Sequence, residues 1–151
     1  MKEKLLVSAC LLGENCKYNG GNNYCPDVEK LRERFEVIPV CPEQLGGLPT
    51  PRVPAERVGE RVMNREGQDM TAEYRLGAEK TLETARAAGV RCAVLQERSP
   101  SCGSGTVYDG TFSGKLIPGR GVTAQLLEEN GIKVYCGSRI EEFLWKEGME
   151  P

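Results

Sequence analysis

Short, almost unbroken apolar runs punctuate this chain, and stretches of helical periodicity separate them. KLLVSAC (4–10), FEVIPVCPE (35–43), the start of VRCAVLQERSPSCG (90–103) and IKVYC (132–136) are the apolar runs. Their length and their Val, Ile and Leu content predict strands buried on both faces. Pro39 weakens the second strand locally, because proline cannot donate to a ladder. Helices are predicted from Pro26 and Asp27 to about Arg34, over 70–89, over 121–131 and over 138–148. The 70–89 segment is the strongest: Tyr74, Ala78, Leu82 and Ala85 share one face, Thr71 can cap its start and Gly89 can end it. Gly131 closes the following helix, and Ser138 is the expected cap of the last.

The glycine- and asparagine-rich segment 11–26 predicts a loop, as does 44–68, with a short strand or hairpin over Val58 to Asn64. A loop as long as 44–68 is often functional. Asp109-Gly110 suggests a tight turn. Strand–helix alternation gives an α/β protein: a three-layer αβα sandwich with a mainly parallel sheet of about four strands, Rossmann-like. The chain has 151 residues, which suits one domain spanning 1–151.

Composition narrows the chemistry. The net charge is −2, so there is no broad pull toward nucleic acid. No apolar run approaches a membrane span, and none follows the N-terminus as a signal peptide would, so a soluble cytoplasmic protein is expected. Histidine is absent, which removes His-based zinc sites, Ser-His-Asp triads and Cys-His dyads. Seven cysteines is many for this length, and an odd number without an export signal argues against a disulfide framework. Structural thiols, a nucleophile or a thiolate-bound metal centre remain.

Parallel strands place their carboxyl ends on one edge of the sheet, where ligands of such folds bind. Cys10 follows the first run, Cys41 lies on the second and Cys102 sits in the loop after the third. The topology therefore lets these remote residues meet. Soft thiolates without imidazole favour an iron–sulfur cluster or zinc. Three protein ligands on a four-iron cubane would leave one iron open as a Lewis acid. Free cysteine is also among the most buried residue types, and Cys92 and Cys136, inside apolar runs, are assigned to the core. Cys25 opens a helix and is expected as a surface thiol, while Cys16 stays open between a fourth ligand, a resolving thiol and no role.

Three long motifs in order, VSACLLGENCKYNGG, VCPEQLGGLPTPRVPAE and ERSPSCGSGTVYDGTFSGKLIPGRGVTAQLLEENGI, resemble a small bacterial family that includes thiouracil desulfidase, over about residues 4–136. The resemblance implies a [4Fe–4S] cluster held by Cys10, Cys41 and Cys102. It also implies a non-redox reaction in which the open iron takes sulfur from a thiolated pyrimidine base or nucleoside, giving the oxo base and hydrosulfide. Family members often carry an aliphatic residue at the position of Cys16, so that residue is not expected as an obligatory ligand. Lys17 and Asn19 stand where the family motif has arginine and aspartate, which bears on substrate identity rather than on the cluster.

Such a hydrolysis needs a proton relay, and Glu43, two residues beyond Cys41, is the candidate general acid/base. Ser101 is a candidate to orient water or bind substrate, and Ser8 is a weaker one. Arg52 and Glu56 are candidates to pair with each other or reach the pocket, and Tyr18 and Tyr108 to stack on a base. The glycine-flanked helix start GRGVTAQ offers amides to an anion. The alternatives are a non-catalytic module with metal or cluster held by Cys10, Cys16, Cys41 and Cys102, a phosphate- or nucleotide-binding protein using glycine-rich loops, and a thiol enzyme with Cys102 activated by Arg98.

Overall fold

The computed structural model describes residues 2–147. Four parallel strands form its sheet: β1 (Glu3–Ser8), β2 (Phe35–Val40), β5 (Cys92–Leu95) and β8 (Lys133–Cys136), in the order β2-β1-β5-β8. The pairing runs Ser8 with Val40, Val7 with Val94, and Leu95 with Cys136, so the carboxyl ends share one edge. β2 lies at the margin of the sheet, which is where Pro39 is tolerated. The sequence order reverses at the β1–β5 contact, the crevice where open parallel sheets receive ligands.

Helices cover both faces. Leu5 and Val7 of β1 and Val94 of β5 pack with Val28 and Leu31 of α1 (Val28–Arg34) and with Ile140, Phe143 and Leu144 of α5 (Ile140–Lys146). On the other face Leu6, Ala93 and Leu95 meet Leu82 and Ala85 of α3 (Thr71–Ala88) and Ala124 and Leu127 of α4 (Val122–Glu129). Leu5, Leu6, Val7 and Val94 are all fully buried, so neighbouring residues of one strand serve opposite cores. Each such side chain contributes about 1.5–3 kcal/mol of apolar burial. The three-layer αβα sandwich expected from the alternation is the fold.

Several boundaries differ from expectation. β1 stops at Ser8, and Ala9–Leu12 turns into a 3-10 segment, which swings Cys10 off the strand axis. β2 stops at Val40, and Cys41 precedes the short helix α2 (Pro42–Leu45). The 44–68 loop contains an antiparallel hairpin, β3 (Ala55–Val58) and β4 (Arg61–Asn64), extending earlier than expected. Asp109-Gly110 opens a longer connection, 109–115, between β6 (Thr106–Tyr108) and β7 (Leu116–Pro118) rather than a two-residue turn. Thr71 begins α3 but does not cap it: Asp69 Oδ1 accepts its N–H at 2.9 Å, while Thr71 Oγ1 accepts from Val62 N. Ser138 does not cap the last helix either, because its hydroxyl donates to Glu97 Oε2 at 2.8 Å. That predicted helix extended to residue 148, which lies outside the described residues.

Among the described residues no helix is long and apolar enough to cross a membrane.

Candidate functional site

A cavity of about 490 Å³ opens at the carboxyl edge of the sheet, and Cys10, Cys16, Cys41 and Cys102 all line it. Three local devices deliver the sulfurs. The 3-10 segment after β1 carries Cys10, and Asn23 Nδ2 approaches its sulfur at 3.7 Å. The end of β2 carries Cys41 to the start of α2. The loop after β5 carries Cys102, and that loop is docked on the start of α4: Val122 N donates to Pro100 O, and Thr123 N and Ala124 N both donate to Ser101 O. Gly121 makes this docking possible, since a Cβ there would lie 2.4 Å from the Ser101 carbonyl.

This docking corrects two expectations. The first amides of α4 already serve the 99–103 loop and are not open to an anion. Ser101 is fully buried, and its hydroxyl shares a 2.7 Å hydrogen bond with Thr123 Oγ1, so it holds the loop rather than facing the cavity. Ser99 and Ser8 are the serines that line the cavity. Ser99 Oγ accepts from Ser101 N and Cys102 N, and Ser8 Oγ accepts from Gln96 N while its side chain bonds to Cys102.

The thiols differ in their proton affinity. Cys16 is 4% exposed and donates to the sulfurs of Cys10 and Cys41. That hydrogen bond is the main cause lowering the Cys10 thiol. It also brings Cys41 down to about 7, against the effect of burial, with Arg52 adding a smaller favourable charge. Cys16 itself is pushed far up by the same two contacts. Burial is the first cause raising Cys102, which is 5% exposed, whereas reactive thiols are low in pKa and partly exposed. A metal would deprotonate that thiol on binding.

Glu43 lines the cavity from α2. Arg52, whose side chain is 6% exposed, pairs with it rather than with Glu56, Nε to Oε2 at 3.3 Å. Arg52 also donates to the Cys16 carbonyl at 2.9 Å. Glu56 instead accepts the amides of Gly110 and Phe112, tying the β6–β7 connection to β3. Tyr18 and Tyr108 both line the cavity, as expected of candidate stacking residues, and Lys17 lies over the Tyr18 ring at 5.9 Å.

Tyr74, Arg65 and Phe112 are among the cavity residues that sequence reasoning missed. Tyr74 was read as part of the apolar stripe of α3; it is 2% exposed, yet its hydroxyl donates to Glu43 Oε2. Arg65 and Phe112 meet across the cavity with the guanidinium 5.6 Å from the ring, brought together by a hairpin and a loop with no sequence period to announce them. The remaining cysteines lie elsewhere. Cys92 is buried as expected, whereas Cys136 is half-buried and donates to Ser104 O at 3.2 Å. Cys25 is also half-buried, packed on the α1–α5 core rather than set on the surface, because α1 begins only at Val28.

The 2-thiouracil desulfurase family model matches residues 5–138. The uncharacterised protein YbbK of Bacillus subtilis strain 168 is 41% identical over 150 residues, covering 93% of this chain and 99% of YbbK. A solved structure of the [4Fe-4S]-dependent thiouracil desulfidase TudS superposes with a TM-score of 0.91 at 44% identity, covering 97% of this chain and 98% of that one. With its motifs, its fold and nearly its whole length in agreement, the chain belongs to the 2-thiouracil desulfurase family.

Proposed function

We propose that this protein is an iron–sulfur-dependent desulfurase that converts a thiolated pyrimidine of the 2-thiouracil type to the oxo base and hydrosulfide. The observation that carries this reading is the convergence of Cys10, Cys41 and Cys102, from three separate strand ends, on one cavity. Family membership and the TudS likeness support it.

The donor set fits a [4Fe–4S] cluster. The chain offers soft sulfur without histidine, the pattern of cluster ligation. Cys10, Cys41 and Cys102 line one cavity of about 490 Å³. Cys10, Cys41 and Cys102 would hold the group, and Asn23 and Ser8 would donate hydrogen bonds to the sulfurs of Cys10 and Cys102. When bound through three protein thiolates, the cluster supplies an open iron as a Lewis acid for the thione sulfur.

The chain's own residues supply the rest. Glu43 takes a proton from the water that attacks the thiolated carbon. The carbon–sulfur double bond is exchanged for a carbon–oxygen double bond, water supplies the oxygen, and sulfur departs as hydrosulfide. No electron is gained or lost. Tyr18 and Tyr108, at the cavity wall, stack on the planar base. Ser101, anchored to Thr123, keeps the Cys102 loop in place rather than handling water.

The test is anaerobic reconstitution of the full chain with iron and sulfide, followed by incubation with 2-thiouracil. Uracil and hydrosulfide in equal amounts are expected. Fully loaded protein that leaves every thiolated pyrimidine unchanged would overturn the reading.

A further inference from the structure

Glu43 is held unequally. Both of its protein partners, the Tyr74 hydroxyl and Arg52 Nε, donate to Oε2. Oε1 has no protein partner among the described residues and is not among the buried oxygens left unsatisfied, so it is open to solvent on a residue that lines the cavity. From this asymmetry, and resting on the role given to Glu43 above, we infer that Tyr74 and Arg52 are positioning residues that occupy one carboxylate oxygen and aim the other, Oε1, at the reacting water.

The packing explains how Tyr74 gets there. Helices α2 and α3 touch backbone to backbone at Gly46 and Gly77. A Cβ on Gly46 would lie 2.0 Å from Glu73 O, and one on Gly77 would lie 2.0 Å from Pro42 O. Glu43 stands three residues before Gly46, and Tyr74 three before Gly77, so each shares a helix face with its glycine. The glycine contact thus sets the helix separation at which the phenol reaches the carboxylate. Arg52 closes the arrangement from the other side, where it is itself fixed by Thr50 Oγ1 at 3.0 Å, Pro49 O at 3.1 Å and Cys16 O at 2.9 Å. A carboxylate with two fixed donors on one oxygen cannot turn freely, and misplacing a catalytic group by about 1 Å can cost ~100-fold in rate.

The experiment is a double-mutant cycle on the full reconstituted chain, with Glu43→Gln, Tyr74→Phe and the combined variant. Tyr74→Phe keeps the buried ring, so folding and iron content should match the wild type. Its kcat is expected to fall about 10- to 100-fold with KM within about twofold. The combined variant should be no slower than Glu43→Gln alone, because Tyr74 acts only through Glu43. In cluster-free protein, the infrared carboxylate bands lost on Glu43→Gln should be shifted by Tyr74→Phe. If Glu43→Gln is fully active, the assignment of Glu43 fails. If Glu43→Gln is inactive while Tyr74→Phe keeps wild-type kcat and carboxylate bands, or if the two losses multiply, the positioning role fails. Should Tyr74→Phe lose iron, the infrared bands of the cluster-free protein decide alone.

Discussion

Two sets of cysteines in this molecule share a residue type and almost nothing else. Cys10, Cys16, Cys41 and Cys102 line one cavity at the carboxyl edge of the sheet. Cys25, Cys92 and Cys136 do not: one is buried in the core, and the other two approach backbone carbonyls, Cys25 that of Gly137 at 3.9 Å and Cys136 that of Ser104 at 3.2 Å. Proton affinity does not follow the same division, since Cys16 and Cys102 are raised although they line the cavity. Hydrogen bonds from Cys16 lower Cys10 and Cys41, whereas burial pushes Cys92 up to about 11. Cys10, Cys41 and Cys102 lie beyond the ends of their strands and line the cavity, whereas Cys136 ends β8 and stays outside it. Cys92 and Cys102 show this within one stretch: the first lies on β5, and the second lies past its end.

The widest gap between the two sets should appear on truncation. Cys102→Ala is expected to abolish both iron uptake and desulfuration, while Cys92→Ala keeps the iron content and activity of the wild type and loses only about 1 kcal/mol of stability from a small cavity. Iron analysis after anaerobic reconstitution and a denaturant titration check both arms. Equal iron loss in the two variants would erase the distinction.

Gly121→Ala tests the device that carries Cys102 to the rim. Its new methyl would meet the Ser101 carbonyl at 2.4 Å, so the 99–103 loop must leave the start of α4. A destabilisation of about 1–3 kcal/mol is expected, with markedly reduced iron uptake. A thermal midpoint and iron content equal to wild type would show that the docking does not place Cys102.

Cys16→Ser sharpens the comparison within the rim. Serine keeps a donor beside Cys10 and Cys41, so a site of three protein ligands should retain its iron and most of its activity. Loss of iron in this variant alone would make Cys16 a fourth ligand and the site a closed one.

The strands and the α3 helix were legible because burial on both faces and a helical stripe leave direct marks on sequence. The convergence of Cys10, Cys41 and Cys102 was legible too, since parallel strands force their ends together. What escaped depends on contacts between segments. Tyr74 carries the same period as Ala78 and Leu82, so nothing local shows that its hydroxyl meets Glu43 across a glycine pair. Ser101 looked like a site residue because it adjoins Cys102, yet neighbouring residues of a turn point different ways, and its hydroxyl is spent on Thr123. Nearness in sequence left Arg52 and Glu56 open between pairing with each other and reaching the pocket; both line the cavity, and the fold gives each a different partner. The uncapped start of α3 and the late start of α1 belong to the usual uncertainty of helix ends.

The most direct measurement is the count of iron and acid-labile sulfide in the wild-type chain after reconstitution without air. About four of each per chain, with a spectrum that changes when 2-thiouracil is added, is the expected result. A chain that takes up no iron, or that holds a single ion on four sulfurs, would contradict the central claim that three strand-end thiols hold a cluster with one iron left open.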